Sequence, residues 1–308
     1  MRGRDLLSIR DLSPDELETL IRNALSMKRD GSPPLLQGKT AALLFEKPSL
    51  RTRVSFEVGM KQLGGSAIYL SQSEVGLGQR EPVRDVARVL SHYVAGIVAR
   101  TYAQQTLVEL AEHANVPVVN ALSDDEHPCQ ALADLLTVRE KKGRLAGVRI
   151  AFIGDGNNVS SSLAMASALA GAEFVIASPP DYGLSRDIID TARGFGRQTG
   201  GAIETVVRPE DAAKGADVVY TDVWTSMGQE SERRRRVEAF QGYQVDAELM
   251  LLAKPDAIFM HDLPAHRGEE ITDEVIEGPQ SVVFQQAENR LHAQKALLAA
   301  LMTDEAAV

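Results

Sequence analysis

Chemistry-bearing side chains crowd a few short stretches of this chain. The densest is 45–57, Phe-Glu-Lys-Pro-Ser-Leu-Arg-Thr-Arg-Val-Ser-Phe-Glu. Ser49 and Thr52 are helix-capping types, and the first N–H groups of a helix face outward as anion donors. Arg51 and Arg53 add guanidinium forks that match phosphate oxygens. The stretch reads as a phosphate-binding helix start; the plainer alternative is a solvated start whose arginines pair with Glu46 and Glu57. Arg100 closes the apolar run 96–99 and either faces the same pocket or lies at the surface. His127 and Gln130, in His-Pro-Cys-Gln, could hydrogen-bond and polarise a substrate carbonyl. Alternatively, His127 caps a helix and Cys129 is a small buried residue.

A second set lies further along. Gly-Asp-Gly-Asn-Asn-Val at 154–159 looks like a dinucleotide fingerprint but lacks the third glycine. The acidic residue that should follow about 20 positions on is available only as Asp181, behind Pro179-Pro180. Asn158 at a helix start suits an amino-acid substrate at least as well. Asp222, directly after an apolar run, can bind an ammonium group. Arg233, Arg234, Arg235 and Arg236, flanked by Glu232 and Glu238, read as a solvated charge run. His261, Asp262 and His266 would carry a metal reading, but their spacing fits no helical zinc motif. Arg290, in Ala-Glu-Asn-Arg-Leu-His, offers one more guanidinium.

The elements that must position these groups alternate. Strand-like runs fall near 41–45, 67–70, 95–99 and 116–119, with helical patterns near 52–63, 82–93 and 105–114. Ser13-Pro14-Asp15-Glu16 starts a helix reaching about Lys28. The alternation then restarts, with strands at 148–153, 175–177, 206–207, 218–220 and 257–260 and helices at 158–170, 185–198, 209–214 and 246–253. This predicts an α/β fold of two doubly wound parallel-sheet domains, joined by a helix around 130–142 and closed by a helix from Glu288.

At 308 residues, with 44% hydrophobic and 25% charged side chains, the chain has room for two ordinary domains. Its net charge of −10 argues against a nucleic-acid surface. The absence of an apolar leader or a spanning run predicts no membrane association. The single cysteine fits a reducing compartment, so a cytoplasmic enzyme is expected.

Ser-Leu-Arg-Thr-Arg, His-Pro-Cys-Gln, Asp-Val-Trp-Thr-Ser-Met-Gly-Gln-Glu, His-Asp-Leu-Pro-Ala-His-Arg-Gly-Glu-Glu and Ala-Glu-Asn-Arg-Leu-His follow one another across nearly the whole chain. In that order they resemble the motifs of the aspartate/ornithine carbamoyltransferase family, with the third favouring ornithine as second substrate. The resemblance implies a carbamoyl phosphate-binding domain, 1–138 with 288–308 returning to it, and an ornithine-binding domain, 139–287. It further implies that Ser49, Leu50, Arg51, Thr52, Arg100, His127, Gln130 and Arg290 hold carbamoyl phosphate. Asn158, Asp222, Ser226, Met227, Asp262 and Leu263 would hold L-ornithine. Arg100, His127 and Asp262 would act in catalysis, with neither metal nor organic cofactor, in a homotrimer or a multiple of it. Citrulline and phosphate would be the products, and domain closure would exclude water. Three residues depart from the family pattern: Leu50 stands for a threonine, Asp262 for the cysteine of His-Cys-Leu-Pro, and Gly76 for a glutamine. A carbamoyltransferase for a related amine and a nicotinamide oxidoreductase are the competing activities. A binding protein disabled by Leu50 and Asp262 is a third possibility.

Overall fold

The computed structural model describes residues 1–303 apart from Met227. Two compact units divide the chain: Met1–Leu136 together with the segment from Glu288 onward, and Thr137–Ala287. The boundaries fall inside two long helices, Pro128–Lys142 and Val283–Met302.

In the first unit, β1 (Thr40–Phe45), β2 (Ser66–Ser71), β3 (Gly96–Arg100) and β4 (Val118–Leu122) form a parallel sheet in the order β2-β1-β3-β4. β1 is buried from Ala41 to Phe45 and β3 along its whole length, as expected of strands covered on both faces. The order reverses between β1 and β3, and at such a switch point the loops at the carboxyl ends splay apart and leave a crevice. The helix Leu50–Gln62 follows β1, and His127 with the helix Pro128–Lys142 follows β4.

In the second unit, β5 (Arg149–Ile153), β6 (Glu173–Ala177), β7 (Ala202–Val206), β8 (Val218–Thr221) and β9 (Ile258–Met260) pair in parallel in the order β7-β6-β5-β8-β9. Here the switch point lies between β5 and β8. The helix Asn158–Leu169 follows β5 and is buried from Val159 to Leu169, and its serines and alanines allow close packing.

The parallel two-sheet α/β fold agrees with the sequence expectation, with local differences. The strand expected at 206–207 is β7, five residues ending at Val206. The final helix begins at Val283, before Glu288. The helix expected over 246–253 is only Ala247–Met250; tighter turn bonds, Leu252 N to Leu249 O and Ala253 N to Met250 O, end it ahead of Pro255.

In the four-arginine run, Arg233, Arg234 and Arg235 are exposed as a solvated run predicts, but Arg236 is a correction. The run forms a helix, Arg233–Ala239, and Arg236 is buried. Its Nη1 lies 2.8 Å from Asp155 Oδ2 and donates to the Trp224 carbonyl at 3.1 Å, while Nε donates to Glu232 at 3.1 Å. Burial raises the Asp155 pKa, and the guanidinium opposes the rise. Removing one member of a buried pair strands the other's charge. Arg236→Met should therefore destabilise the protein by about 3–5 kcal/mol in urea unfolding, and adding Asp155→Asn should restore much of the loss. An unshifted midpoint for the single variant would show that the pair is solvated.

Candidate active site

In the first unit Ser49 caps the helix Leu50–Gln62, its Oγ accepting from Thr52 N at 3.3 Å. Thr52 is fully buried. Its Oγ1 accepts from Ser49 Oγ at 3.0 Å and from Arg290 Nη2 at 2.6 Å. Both lone pairs are thereby used, and the Thr52 hydroxyl proton is left to donate elsewhere. Arg51 is half-buried in the first turn, whereas Leu50 is 77% exposed, so only its main-chain N–H can serve an anion there. Arg53 behaves as the plainer reading expects: it pairs with Glu57 at 2.9 Å and lies over the Tyr69 ring at 3.9 Å. Lys47 is buried, paired with Asp124 and 4.4 Å from the Tyr102 ring centroid.

Arg100 ends β3, buried, directly opposite Phe45 of β1. His127 is buried at the start of the next helix, its carbonyl accepting from Gln130 N and Ala131 N. Burial, then the charges of Arg290 and Arg100, hold the His127 pKa well below the usual imidazole range. The ring is therefore neutral at physiological pH, a hydrogen-bonding group rather than a cation. Gln130 Nε2 donates to Asp134 Oδ1 at 2.9 Å. That bond places the amide NH₂ against the carboxyl group. It leaves Gln130 Oε1 as a buried acceptor with no hydrogen-bond partner among the described residues, suited to an N–H-bearing ligand. Cys129 is no nucleophile: its thiol faces the Asn120 carbonyl at 3.3 Å, and burial pushes its pKa up to about 12.

The second unit gathers a different chemistry. Asn157, not Asn158, caps the helix after β5, accepting from Val159 N and Ser160 N at 3.0 Å each. Its Nδ2 donates to Asp222 Oδ2 at 2.6 Å. Adjacent asparagines at a helix start are ambiguous from sequence alone; Asn158 is the half-exposed first helical residue. Asp222 is buried, with its Oδ1 accepting from Val223 N at 2.7 Å. Burial, followed by the neighbouring Asp262 carboxylate, pushes its pKa well above the usual carboxylate range. Ser226 is half-buried and held by Gln229, whose Oε1 accepts from Ser226 N at 3.2 Å. Met227 lies outside the described residues. Leu263 has φ +61°, and its N–H donates to His261 Nδ1 at 2.9 Å.

Asp222, His261 and Asp262 present ligand-type atoms within 4.8 Å of one another. Metal binding is nonetheless a poor fit, because both imidazole nitrogens are engaged: Nδ1 accepts from Leu263, and Nε2 lies 3.2 Å from buried Glu270. His266 falls elsewhere, beside Glu269 and Glu270. Nothing in the structure favours the dinucleotide reading. A side-chain atom on Gly156 would sit 2.3 Å from the Gly183 main chain, so this glycine serves close packing of the chain's own backbone.

Family models match the two parts of the chain in order. Residues 4–140 match the family model described as aspartate/ornithine carbamoyltransferase, carbamoyl-P binding domain. Residues 146–301 match the Asp/Orn binding domain of the same family. An ornithine carbamoyltransferase of Bacillus subtilis is 52% identical over 300 residues, covering 97% of this chain and 94% of the relative. The ornithine carbamoyltransferase structure from Pyrococcus furiosus superposes with a TM-score of 0.94 at 50% identity, covering 98% of this chain and 97% of that one. An N-acetyl-L-ornithine transcarbamylase structure gives 0.88 at 33% identity, covering 96% and 99%, so the fold alone does not select the amine. With both family domains matched in order along nearly its whole length, the chain belongs to the aspartate/ornithine carbamoyltransferase family.

Proposed function

We propose that this protein transfers the carbamoyl group of carbamoyl phosphate to the δ-amine of L-ornithine, giving L-citrulline and phosphate. The observation that carries the reading is the division of labour between the units. One gathers buried guanidiniums around a neutral histidine; the other gathers buried carboxyl groups. An anionic donor and a cationic amino-acid acceptor call for that pairing of sites. The ornithine carbamoyltransferase names of relatives near 50% identity support ornithine as the acceptor.

In this reading the helix start at Ser49–Thr52, with Arg51 and Arg290, holds the phosphate. Arg100, His127 and the Thr52 hydroxyl donate to the carbamoyl oxygen, whose negative charge grows as the amine adds to the carbon. Gln130 Oε1 accepts from the carbamoyl NH₂ and fixes which face is presented. The C–O bond to phosphate then breaks, and the departing phosphate takes the proton of the attacking amine. No step calls for a metal or organic cofactor. Asp222 reads the α-ammonium, while Asn158, Ser226 and Leu263 border the amino acid. Cys129, the single cysteine, is buried and free, which supports a reducing, cytoplasmic setting. We also infer a homotrimer or a multiple of it. Leu50 (77%), Val54 (47%) and Ile68 (52%) are exposed apolar side chains of the first unit, and burial against a second copy would cover them.

A colorimetric ureido assay with ornithine, N-acetylornithine, putrescine and aspartate offered separately should show product chiefly with ornithine. Preferred turnover of another amine would transfer the reading to that substrate. Arg51→Ala should raise KM for carbamoyl phosphate by the equivalent of ~1.5–3 kcal/mol, about ten- to hundredfold. Asp222→Asn should raise KM for ornithine and spare that for carbamoyl phosphate; equal effects on both substrates would undo these assignments. Light scattering on the eluting protein should give a mass of three chains or a multiple, falling when Leu50→Glu is introduced. A monomeric wild type excludes the trimer.

A further inference from the structure

β4 lies at the edge of the first sheet, and an edge strand leaves main-chain groups for another segment to pair. The residues ahead of the helix at Pro14 take them. Leu6 pairs in parallel with Val119, its N–H donating to the Val118 carbonyl at 2.9 Å and its carbonyl accepting from Asn120 N at 2.8 Å. Asp5 Oδ1 accepts from Val118 N at 2.8 Å. Asn120 Nδ2 and Gln104 Nε2 donate to the Leu7 carbonyl at 2.9 and 3.2 Å. Leu6 and Ile9 are fully buried, so the segment belongs to the first unit's core. It ends in a single 3₁₀ turn, Ile9–Asp11, capped by Ser8. That turn meets Glu126, whose Oε1 accepts from Ser8 Oγ and whose Oε2 accepts from Ile9 N at 3.1 Å.

Glu126 is buried and immediately precedes His127. Its N–H donates to Ser123 Oγ at 3.1 Å, and its carbonyl accepts from Ser123 N at 2.9 Å. Ser123 Oγ is held in turn, donating to Gln104 Oε1 at 2.6 Å. The peptide plane entering His127 is thereby fixed. The plane leaving it is fixed too, because the His127 carbonyl accepts from Gln130 N at 3.0 Å and Ala131 N at 3.2 Å. Two fixed planes set φ and ψ at the Cα between them, and with them the direction in which the side chain leaves.

Resting on the reading of His127 as a donor to the carbamoyl oxygen, we propose that Glu126 is a positioning residue for His127, braced by the segment Asp5–Ile9. The Glu126 carboxyl group takes the Ser8 and Ile9 donors, and its main chain passes that alignment to the next residue. The phosphate end of the donor substrate is held by other groups, Arg51, Arg290 and the helix start at Ser49–Thr52. A loosened His127 therefore leaves substrate binding in place and weakens the contact that strengthens as the oxyanion develops.

Glu126→Ala should lower kcat for citrulline formation about ten- to hundredfold, the cost of a misplacement of about 1 Å at a reacting centre, with KM for both substrates near wild type. Ser8→Ala keeps the carboxyl group and removes one donor; it should lower kcat severalfold and serves if Glu126→Ala does not fold. A double-mutant cycle then separates positioning from general support of the fold. In a His127→Ala background either substitution should cost almost nothing further, because the group it aims is gone. An unchanged kcat in the single variants, a rise in KM in place of the fall in kcat, or a full additional loss in the His127→Ala background overturns the positioning role and leaves citrulline formation intact. A wild type that makes no citrulline overturns the carbamoyl-transfer reading instead. The His127 ring signals in a histidine-labelled NMR spectrum, identified by their loss in His127→Ala, then decide the brace by themselves. Signals moved by Glu126→Ala or Ser8→Ala support it, and signals identical to wild type overturn it.

Discussion

Parallel strand pairing is the constraint from which the rest of this molecule follows. A parallel strand cannot be reached by a hairpin, so the chain must cross over, usually through a helix, before the next strand begins. Each sheet therefore presents its carboxyl ends along one edge, where strand gives way to helix. Ser49–Thr52, Arg100 and His127 all lie on the edge of the first sheet, and Asn157, Asp222 and Asp262 on that of the second. None of these residues is close to the others of its group in sequence. Their assembly follows from the strand order.

The two edges solve opposite electrostatic problems. The first concentrates cations and keeps His127 neutral, since burial and two guanidiniums both oppose its charging. A neutral imidazole beside arginines donates to a developing oxyanion without competing for a proton. The second edge brings the Asp222 and Asp262 carboxyl groups together beside His261. Burial lowers the His261 pKa, but hydrogen bonds to Asp262 and Glu270 draw it up to about 9. A fold built on one architecture thus selects ligands of opposite sign by the side chains at strand ends.

Much of this was legible in the sequence, because period and punctuation report local structure directly. The alternation of apolar runs with helical patterns located the strands, and Ser49, Pro128 and Asn157–Asn158 marked helix starts. What escaped depends on distance along the chain. Arg236 sits in a charge run that reads as solvated, and nothing local reveals Asp155 waiting 81 residues away. Asn157, which caps the helix, also donates to Asp222, 65 residues downstream, a contact that nothing local reveals. The orientation of Gln130 was hidden too, although its partner Asp134 lies one helical turn on, because a sequence does not say which faces are buried.

The hydrogen bond from Arg290 to Thr52 joins residues 238 positions apart, across the break that makes the first unit discontinuous. On the ribosome, the segment from Glu288 is made only after the whole second unit. The second unit, contiguous in the chain, can complete its core while synthesis continues. The first must wait with Thr52 lacking its guanidinium partner. Domains usually mature in the order they are translated; here the chain's beginning is finished last. A ribosome stalled before Glu288 would leave a nascent protein with one mature half and an anion site without Arg290.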